Sequence, residues 1–307
     1  MTLPPSAGVP SCRYATAYPP HPALVLAAAT LLALLGTGRA QAQETRQLPL
    51  WELGLGVGAV TVPNYPGSDQ TQNYVLPLPY VIYRGEIFKA DKDGVRAAYT
   101  ATPRVEFDLS LGATPPVASE ESDARRGMPN LPPALEIGPE LRVHLARDSD
   151  NEEQRRYEWN LHIPVRRSVT VRNGHFEQIG NVAYPHVNWK QKFHWLSRDW
   201  LLDSDLGAYY NSRSYHQFFY QVLPQYATRT RPAYEAAGGY GGWEGTVFSS
   251  CRFERLRLAG FVQVGSIGGA AFEDSPLVRR SFVLSAGLVV NYVFWVSSQN
   301  AAGSTAP

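Results

Sequence analysis

Hydrophobic and polar positions alternate with period two along most of this chain. In the run Trp51–Val62, Trp51, Leu53, Leu55, Val57 and Ala59 fall on one face, and Glu52, Gly54, Gly56 and Gly58 on the other. Side chains of a strand alternate between its faces. A helix would scatter the same residues around its axis, and each glycine would cost it about 1 kcal/mol. The pattern returns at Asn73–Tyr83, with Tyr74, Leu76, Leu78, Tyr80 and Ile82 on one side, and at Val105–Leu111, where Val105, Phe107, Leu109 and Leu111 oppose Glu106, Asp108 and Ser110. It recurs at Leu135–Leu145 and at Tyr157–Arg166, where apolar residues again oppose charged or polar ones. These lengths suit tilted strands that cross a bilayer.

Further runs are expected at Ile87–Ala90, Val95–Ala101, Val169–Val171, His175–Ile179, Tyr184–Phe193, Trp200–Tyr210, Tyr215–Val222, Trp243–Phe253, Leu256–Gly265 and Ser281–Val296. Asn173-Gly174 between two runs is the sequence of a type I′ hairpin, because both residues tolerate positive φ. Single-chain bacterial barrels have an even number of strands. Setting aside Ile87–Ala90 as the weakest run, the pattern predicts an all-β, antiparallel, up-and-down transmembrane barrel of about 12 strands, with 10 as the fallback. Pro77, Pro79, Pro139, Pro164 and Pro185 fall inside the runs. Proline cannot donate to a ladder, so these positions are expected at bulges, strand ends or kinks.

Ahead of the first strand, Ala23–Gly36 is a short apolar run followed by Ala40-Gln41-Ala42. That is the form of a secretory leader with a small-residue cleavage site. Residues 1–42 are therefore expected to be a signal peptide and 43–307 the barrel domain. The chain carries 28 basic and 27 acidic residues; without Arg13 and Arg39 the remainder is near neutral, which gives no bulk attraction for nucleic acid. Cys12 lies in the leader, so Cys251 is the single cysteine beyond it, and an internal disulfide or a thiolate metal site is excluded.

Candidate chemistry is sparse. Gly54-x-Gly56-x-Gly58 lies inside a strand and lacks the helix that a phosphate loop requires. His144, His162, His175, His186, His194 and His216 show no zinc-binding spacing, and no G-x-S-x-G elbow occurs. His144 or His162 beside Ser110 or Ser168 is the one pairing a hydrolase could use. No cofactor is expected. The informative set is the charge that opposes apolar residues: Glu106, Asp108, Glu136, Glu140, Arg142, Glu158 and Arg166, with Asp203 and Asp205. Arg or Lys on a lipid face costs about 2–4 kcal/mol at the midplane, so this face is expected to line the lumen. Leu53, Leu55, Phe107, Leu109, Leu141 and Val143 are expected to meet lipid. The charged face either plugs the lumen with ion pairs or forms a selectivity ring for a small solute.

Several segments resemble the MipA/OmpV family of outer-membrane proteins. They include Pro63-Asn64-Tyr65-Pro66-Gly67-Ser68, Leu76-Pro77-Leu78-Pro79-Tyr80, and Arg126-Gly127-Met128-Pro129-Asn130-Leu131 running into Leu135-Glu136-Ile137-Gly138-Pro139. Tyr226-Ala227 through Arg231-Pro232-Ala233-Tyr234 to Gly238-Gly239-Tyr240-Gly241-Gly242, and Gly269-Ala270-Ala271-Phe272-Glu273-Asp274-Ser275-Pro276-Leu277-Val278, complete the resemblance. It implies a barrel exported to the outer membrane, in contact with lipid and lipopolysaccharide. It also implies a non-enzymatic scaffold joining a lytic murein transglycosylase to a peptidoglycan synthase, and it carries over no catalytic residue. A narrow solute channel is the alternative, and an adhesin a weaker one. In one departure from most barrels, Val296–Pro307 extends past the aromatic pair Phe294-Trp295. N-terminal sequencing of the mature protein is expected to begin at Gln43; a chain that retains Ala23–Gly36 in the inner membrane would overturn the leader assignment.

Overall fold

The computed structural model describes residues 49–84, 88–91, 94–97, 99–102, 104–150, 154–172 and 174–299. The leader, Ile87 and Asn173 lie outside them. One antiparallel sheet holds fourteen strand segments. In chain order these are β1 (Trp51–Pro63), β2 (Thr71–Arg84), β3 (Phe88–Asp91), β4 (Gly94–Ala97), β5 (Tyr99–Thr102), β6 (Val105–Thr114) and β7 (Ala134–Arg147). Then come β8 (Tyr157–Arg172), β9 (His175–Ala183), β10 (His186–Trp195), β11 (Arg198–Asn211), β12 (Gly239–Phe253), β13 (Leu256–Ser266) and β14 (Phe282–Val296). The sheet runs β4-β3-β2-β1-β14-β13-β12-β11-β10-β8-β7-β6-β5. Its two ends, β4 and β5, stand one residue apart in the chain, so the sheet closes on itself. β9 and β10 both lie between β8 and β11 and form one interrupted pass. Taking β4 with β5 in the same way, the segments make twelve passes among the described residues.

Two expectations change. The run set aside around Ile87–Ala90 is strand β3, which pairs with both β2 and β4. Tyr215–Val222, read as a strand, lies mostly in the helix α1 (Arg213–Tyr220). Ser212 Oγ accepts from Tyr215 N–H at the helix start, and His216, Phe219 and Tyr220 are buried on one side. Positions spaced by three and four residues meet on a helix, whereas alternation would have parted them.

The prolines fall where the ladder can spare a donor. Pro185 separates β9 from β10, and Pro164 lies opposite that break, its carbonyl accepting from Tyr184 N–H. Beside it the β7–β8 pairing skips Gly138-Pro139. Pro77 and Pro79 lie opposite Val57 and Leu55, and the other neighbour of β2 pairs only with Tyr83 and Arg84. Their missing N–H groups therefore face a stretch without a ladder among the described residues. At the hairpin expected from Asn173-Gly174, Arg172 pairs with His175, and Gly174 takes φ +78°.

Apolar side chains cover the outside of the barrel; Leu55, Val57, Val165, Val262 and Leu288 are all exposed. So broad an apolar surface belongs against hydrocarbon. Trp51, Trp159, Trp195, Trp200 and Trp295 collect at the end where β1 begins and β14 ends, and Phe176, Tyr210, Trp243 and Phe282 mark the other end. These are the positions of interfacial aromatic girdles. No helix among the described residues is long and apolar enough to cross a membrane.

At the end where β1 stops and β14 begins the long loops pack into one apolar cluster. It includes Tyr65, Val117, Leu131, Phe219, Tyr220, Ala236, Ile267, Phe272 and Leu277. The Tyr220 ring stacks on Phe272 at 3.7 Å, and its hydroxyl donates to the Pro66 carbonyl at 2.9 Å. Tyr65 donates to the Leu277 carbonyl, and buried Arg125 donates to the carbonyls of Phe219 and Pro129. Burial pushes the Arg125 guanidinium down to about 10. The cluster thus draws on loops from around the rim and roofs the lumen.

His216 fastens this roof. Its Nδ1–H donates to the Ala237 carbonyl at 2.7 Å, and its Nε2 accepts from Asn211 Nδ2 at 3.2 Å. Only the neutral ring satisfies both partners. Burial lowers the His216 pKa below its usual value, against the smaller opposite pull of the Ala237 carbonyl. Because the unfolded ring takes its proton first, stability is present above the usual histidine value of about 6.5 and falls as pH drops from there toward the lowered value. Hydrogen exchange is expected to show α1 and residues 235–238 losing protection over that window while β12 and β13 stay protected. A His216→Gln protein is expected to lack this pH dependence.

Candidate functional site

The inward face of the barrel is divided. On β6, β7, β8, β10 and β11 it is charged and largely buried: Asp108, Glu136, Glu140, Arg142, Asn160, His162, Asn188 and Asp203 are all buried. Arg142 stands at the centre of one knot, with Nη2 at 2.9 Å from Asp108 and 3.6 Å from Glu140, and Nη1 at 3.6 Å from Glu106. His162 Nδ1 lies 2.6 Å from Glu140, and His144 Nε2 lies 3.2 Å from Glu106. The Nδ1–H of His144 donates to Asn160 Oδ1 at 2.7 Å. A buried carboxylate needs such partners, since an unpaired one costs several kcal/mol.

Neighbouring groups continue the network on both sides. Arg166 donates to Ser110 Oγ at 3.0 Å and to Glu136 at 3.3 Å, and the Tyr215 hydroxyl donates to the other oxygen of Glu136 at 3.0 Å. That bond ties the roof to the wall. Asn188 Nδ2 donates to Asp203 and to Asp205, while Lys190 lies 3.8 Å from Asp203 and 3.9 Å from Glu158. Arg155 donates to Glu158 at 2.6 Å. The rings of His162, His186, Tyr184 and Tyr209 stack in a column with centroid spacings of 4.8, 4.5 and 4.2 Å. The break between β9 and β10 is what places Tyr184 in that column.

Glu106, Asp108, Glu140 and Arg142 thus share one knot, Glu136 and Arg166 a second, and Glu158 a third. Sequence reasoning missed a fourth around Glu52. This side chain is fully buried and accepts from Arg84, Arg252 and Arg257, each at 2.8 Å. Glu52 stood on the polar face of the first run, and that was the available signal. Its three partners come from the ends of strands separated in sequence, where alternation is weakest.

The remaining inward wall departs from the expected polar lining. On β2 the side bearing Tyr74, Leu78, Tyr80 and Ile82 points inward, and Val75, Pro77, Pro79 and Val81 point out. The inward glycines of β1 explain this. A Cβ at Gly58 would stand 2.7 Å from Leu78 Cδ1, and one at Gly56 would collide with Asn291 Oδ1. Across the next strands a Cβ at Gly287 would overlap the Phe261 ring. Large apolar side chains therefore lie flat over glycines on this wall.

The hydrolase pairing considered from sequence is not assembled. Ser110 Oγ is engaged by Arg166, while Ser168 Oγ is buried without a hydrogen-bond partner among the described residues. His144 and His162 turn to carboxylates and Asn160. No group of acidic, histidine or cysteine side chains suited to a metal ion occurs among the described residues.

Removing Arg142 would leave Asp108, Glu106 and Glu140 facing one another in a sealed space. Arg142→Ala is expected to destabilise the barrel by about 3–5 kcal/mol, the usual cost of breaking a buried ion pair. Urea titration of the protein refolded in lipid vesicles measures this. Arg126→Ala, which removes an exposed pair with Asp123, is expected to cost less than about 1 kcal/mol.

Comparison with known proteins yields three findings. No curated protein matches the sequence. Among solved structures, the CymD monoaromatic hydrocarbon channel aligns over 81% of this chain and 90% of its own, at 11% identity and a TM-score of 0.31. The family model described as MltA-interacting protein MipA matches residues 55–294, which run from the first strand to the last. This chain is a member of the MipA family.

Proposed function

We propose that this protein is a non-catalytic barrel of the outer membrane, exported with residues 1–42 as leader, that holds a cell-wall-remodelling enzyme at its turn end. The supporting observation is how surface is used at the two ends. Loops at the far end spend their large side chains on each other in the roof. At the end where β1 begins and β14 ends, described residues between β7 and β8 bond to one another and leave two charges, Asp150 and Arg156, outside. Asp148 accepts from the backbone N–H of Arg156 at 2.9 Å and of Tyr157 at 3.2 Å, and Arg155 donates to the carbonyls of Ser149 and Asp150. Arg156 and Asp150 keep most of their side chains in solvent. Preorganised rim charges of this kind steer association and set partner choice.

Short turns of such barrels face the periplasm. A partner reached there is a periplasmic protein, and the name of the family points to a lytic murein transglycosylase, with a peptidoglycan synthase as a second candidate. A narrow passage for a small solute is the second reading. It is favoured by the intermediate exposure of Leu78, Phe248, Phe261 and Val289 on the inward apolar wall.

Binding of a purified lytic transglycosylase to the barrel in nanodiscs, followed by interferometry, tests the first reading. Reversing the rim charges with Asp150→Lys and Arg156→Glu together is expected to slow association about tenfold and to change its salt dependence. Replacing both His144 and His162 by Ala in a folded barrel is expected to leave association unchanged. Absence of binding, together with steady single-channel conductance in planar bilayers, would replace the scaffold by the channel. Hydrolysis of murein, peptide or phospholipid that vanishes with either histidine would replace both by an enzyme.

A further inference from the structure

Beyond that reading, the geometry points to a binding site for an amphipathic carboxylate inside the barrel, along the β12–β14–β1–β2 wall. Two features meet there. The first is an apolar strip that water reaches: Leu78, Phe248, Phe261 and Val289 face inward and are half-buried, whereas Asp108, Glu136, Glu140 and Arg142 on the wall opposite are buried. Leu78 and Phe261 lie against Gly58 and Gly287, so these apolar side chains pack flat along the wall. With the loops packed over one end, a molecule enters the barrel from the turn end.

The second feature stands at that entrance. Glu52 is held by three guanidinium groups, Arg84, Arg252 and Arg257. One carboxylate neutralises one of them, and two positive charges remain. Arg84 and Arg257 spend other donors on the carbonyls of Pro49, Glu254 and Leu256. Arg257 Nε is nevertheless buried without a hydrogen-bond partner among the described residues. The side chain of Arg252 is 41% exposed, and its Nη2 donates to Glu52. Guanidinium forks of this sort match a carboxylate in shape and charge.

An anionic head at Arg252 and Arg257 would direct an attached apolar body along the strip toward Phe261 and Val289. The ligand class is therefore a small acid with an alkyl or aromatic tail. The head alone lacks the area of the strip, and the tail alone leaves the surplus charge unanswered.

Calorimetric titration of the full barrel in phosphatidylcholine nanodiscs, corrected with empty nanodiscs, tests this with three probes. These are para-butylbenzoate, its neutral amide and unsubstituted benzoate. The butyl acid is expected to bind at least about tenfold more tightly than either of the others, and added salt is expected to weaken it. Arg252→Gln, with folding checked by heat-modifiable migration, is expected to weaken the butyl acid about tenfold and leave the amide unchanged. Equal binding of acid and amide, benzoate binding as tightly as the butyl acid, indifference to Arg252→Gln, or no binding would each overturn the site. Should Arg252→Gln not fold, the three probes and the salt series on the unaltered protein decide alone. None of these outcomes depends on whether a cell-wall enzyme docks at the rim.

Discussion

Inside a bilayer a backbone N–H or C=O without a partner costs several kcal/mol, and no water is at hand to relieve it. Closure of the sheet is therefore the condition on which everything else in this protein rests. The first and last strands meet that condition together, with β1 paired to β14 from Glu52↔Val296 to Thr61↔Ala286. Once the tube exists, every second residue is committed to its interior. The positions of Glu106, Asp108, Glu140 and Arg142 follow from parity alone, and their pairing follows from the cost of leaving any of them unmatched.

The interior meets that cost in two different ways. Around Arg142 and Arg166, acid and base from neighbouring strands approach each other and shut water out. Along β1 and β2 the solution is to remove side chains: a glycine on one strand receives Leu78 from the next. The outcome is a tube with one stiff polar wall and one smooth apolar wall. The loop roof belongs to the same economy, since Tyr215 descends from α1 to share Glu136 with Arg166.

Period-two alternation made most strands legible because lipid enforces it from outside, and a misplaced charge there is expensive. It failed where that pressure is absent. Tyr215–Val222 belongs to a loop, where burying His216, Phe219 and Tyr220 together favours a helix. On β2 both faces are apolar, so alternation could not say which one meets lipid; the answer lay in the glycines of the neighbouring strand. The acidic residues on β6 and β7 stood out in the sequence because each interrupts an apolar run. Arg84, Arg252 and Arg257 did not, because an arginine at a strand end reads as an ordinary turn residue. Only the register of β1, β2, β12 and β13 brings them to Glu52.

The pairing of β1 with β14 also has a temporal side. These strands lie more than two hundred residues apart, so the seam forms only after the last strand has been made. Contacts of such long range are slow to find because loop-closure entropy opposes them. Until then both strand edges offer unpaired donors and acceptors to any other chain. The residues past β14 join the same late event: Ser297 N–H donates to the Trp51 carbonyl, and Leu50 N–H donates to the Gln299 carbonyl. The tail therefore extends the seam beyond β14, and a chain cut after Trp295 would lose these two bonds and the Glu52↔Val296 pair.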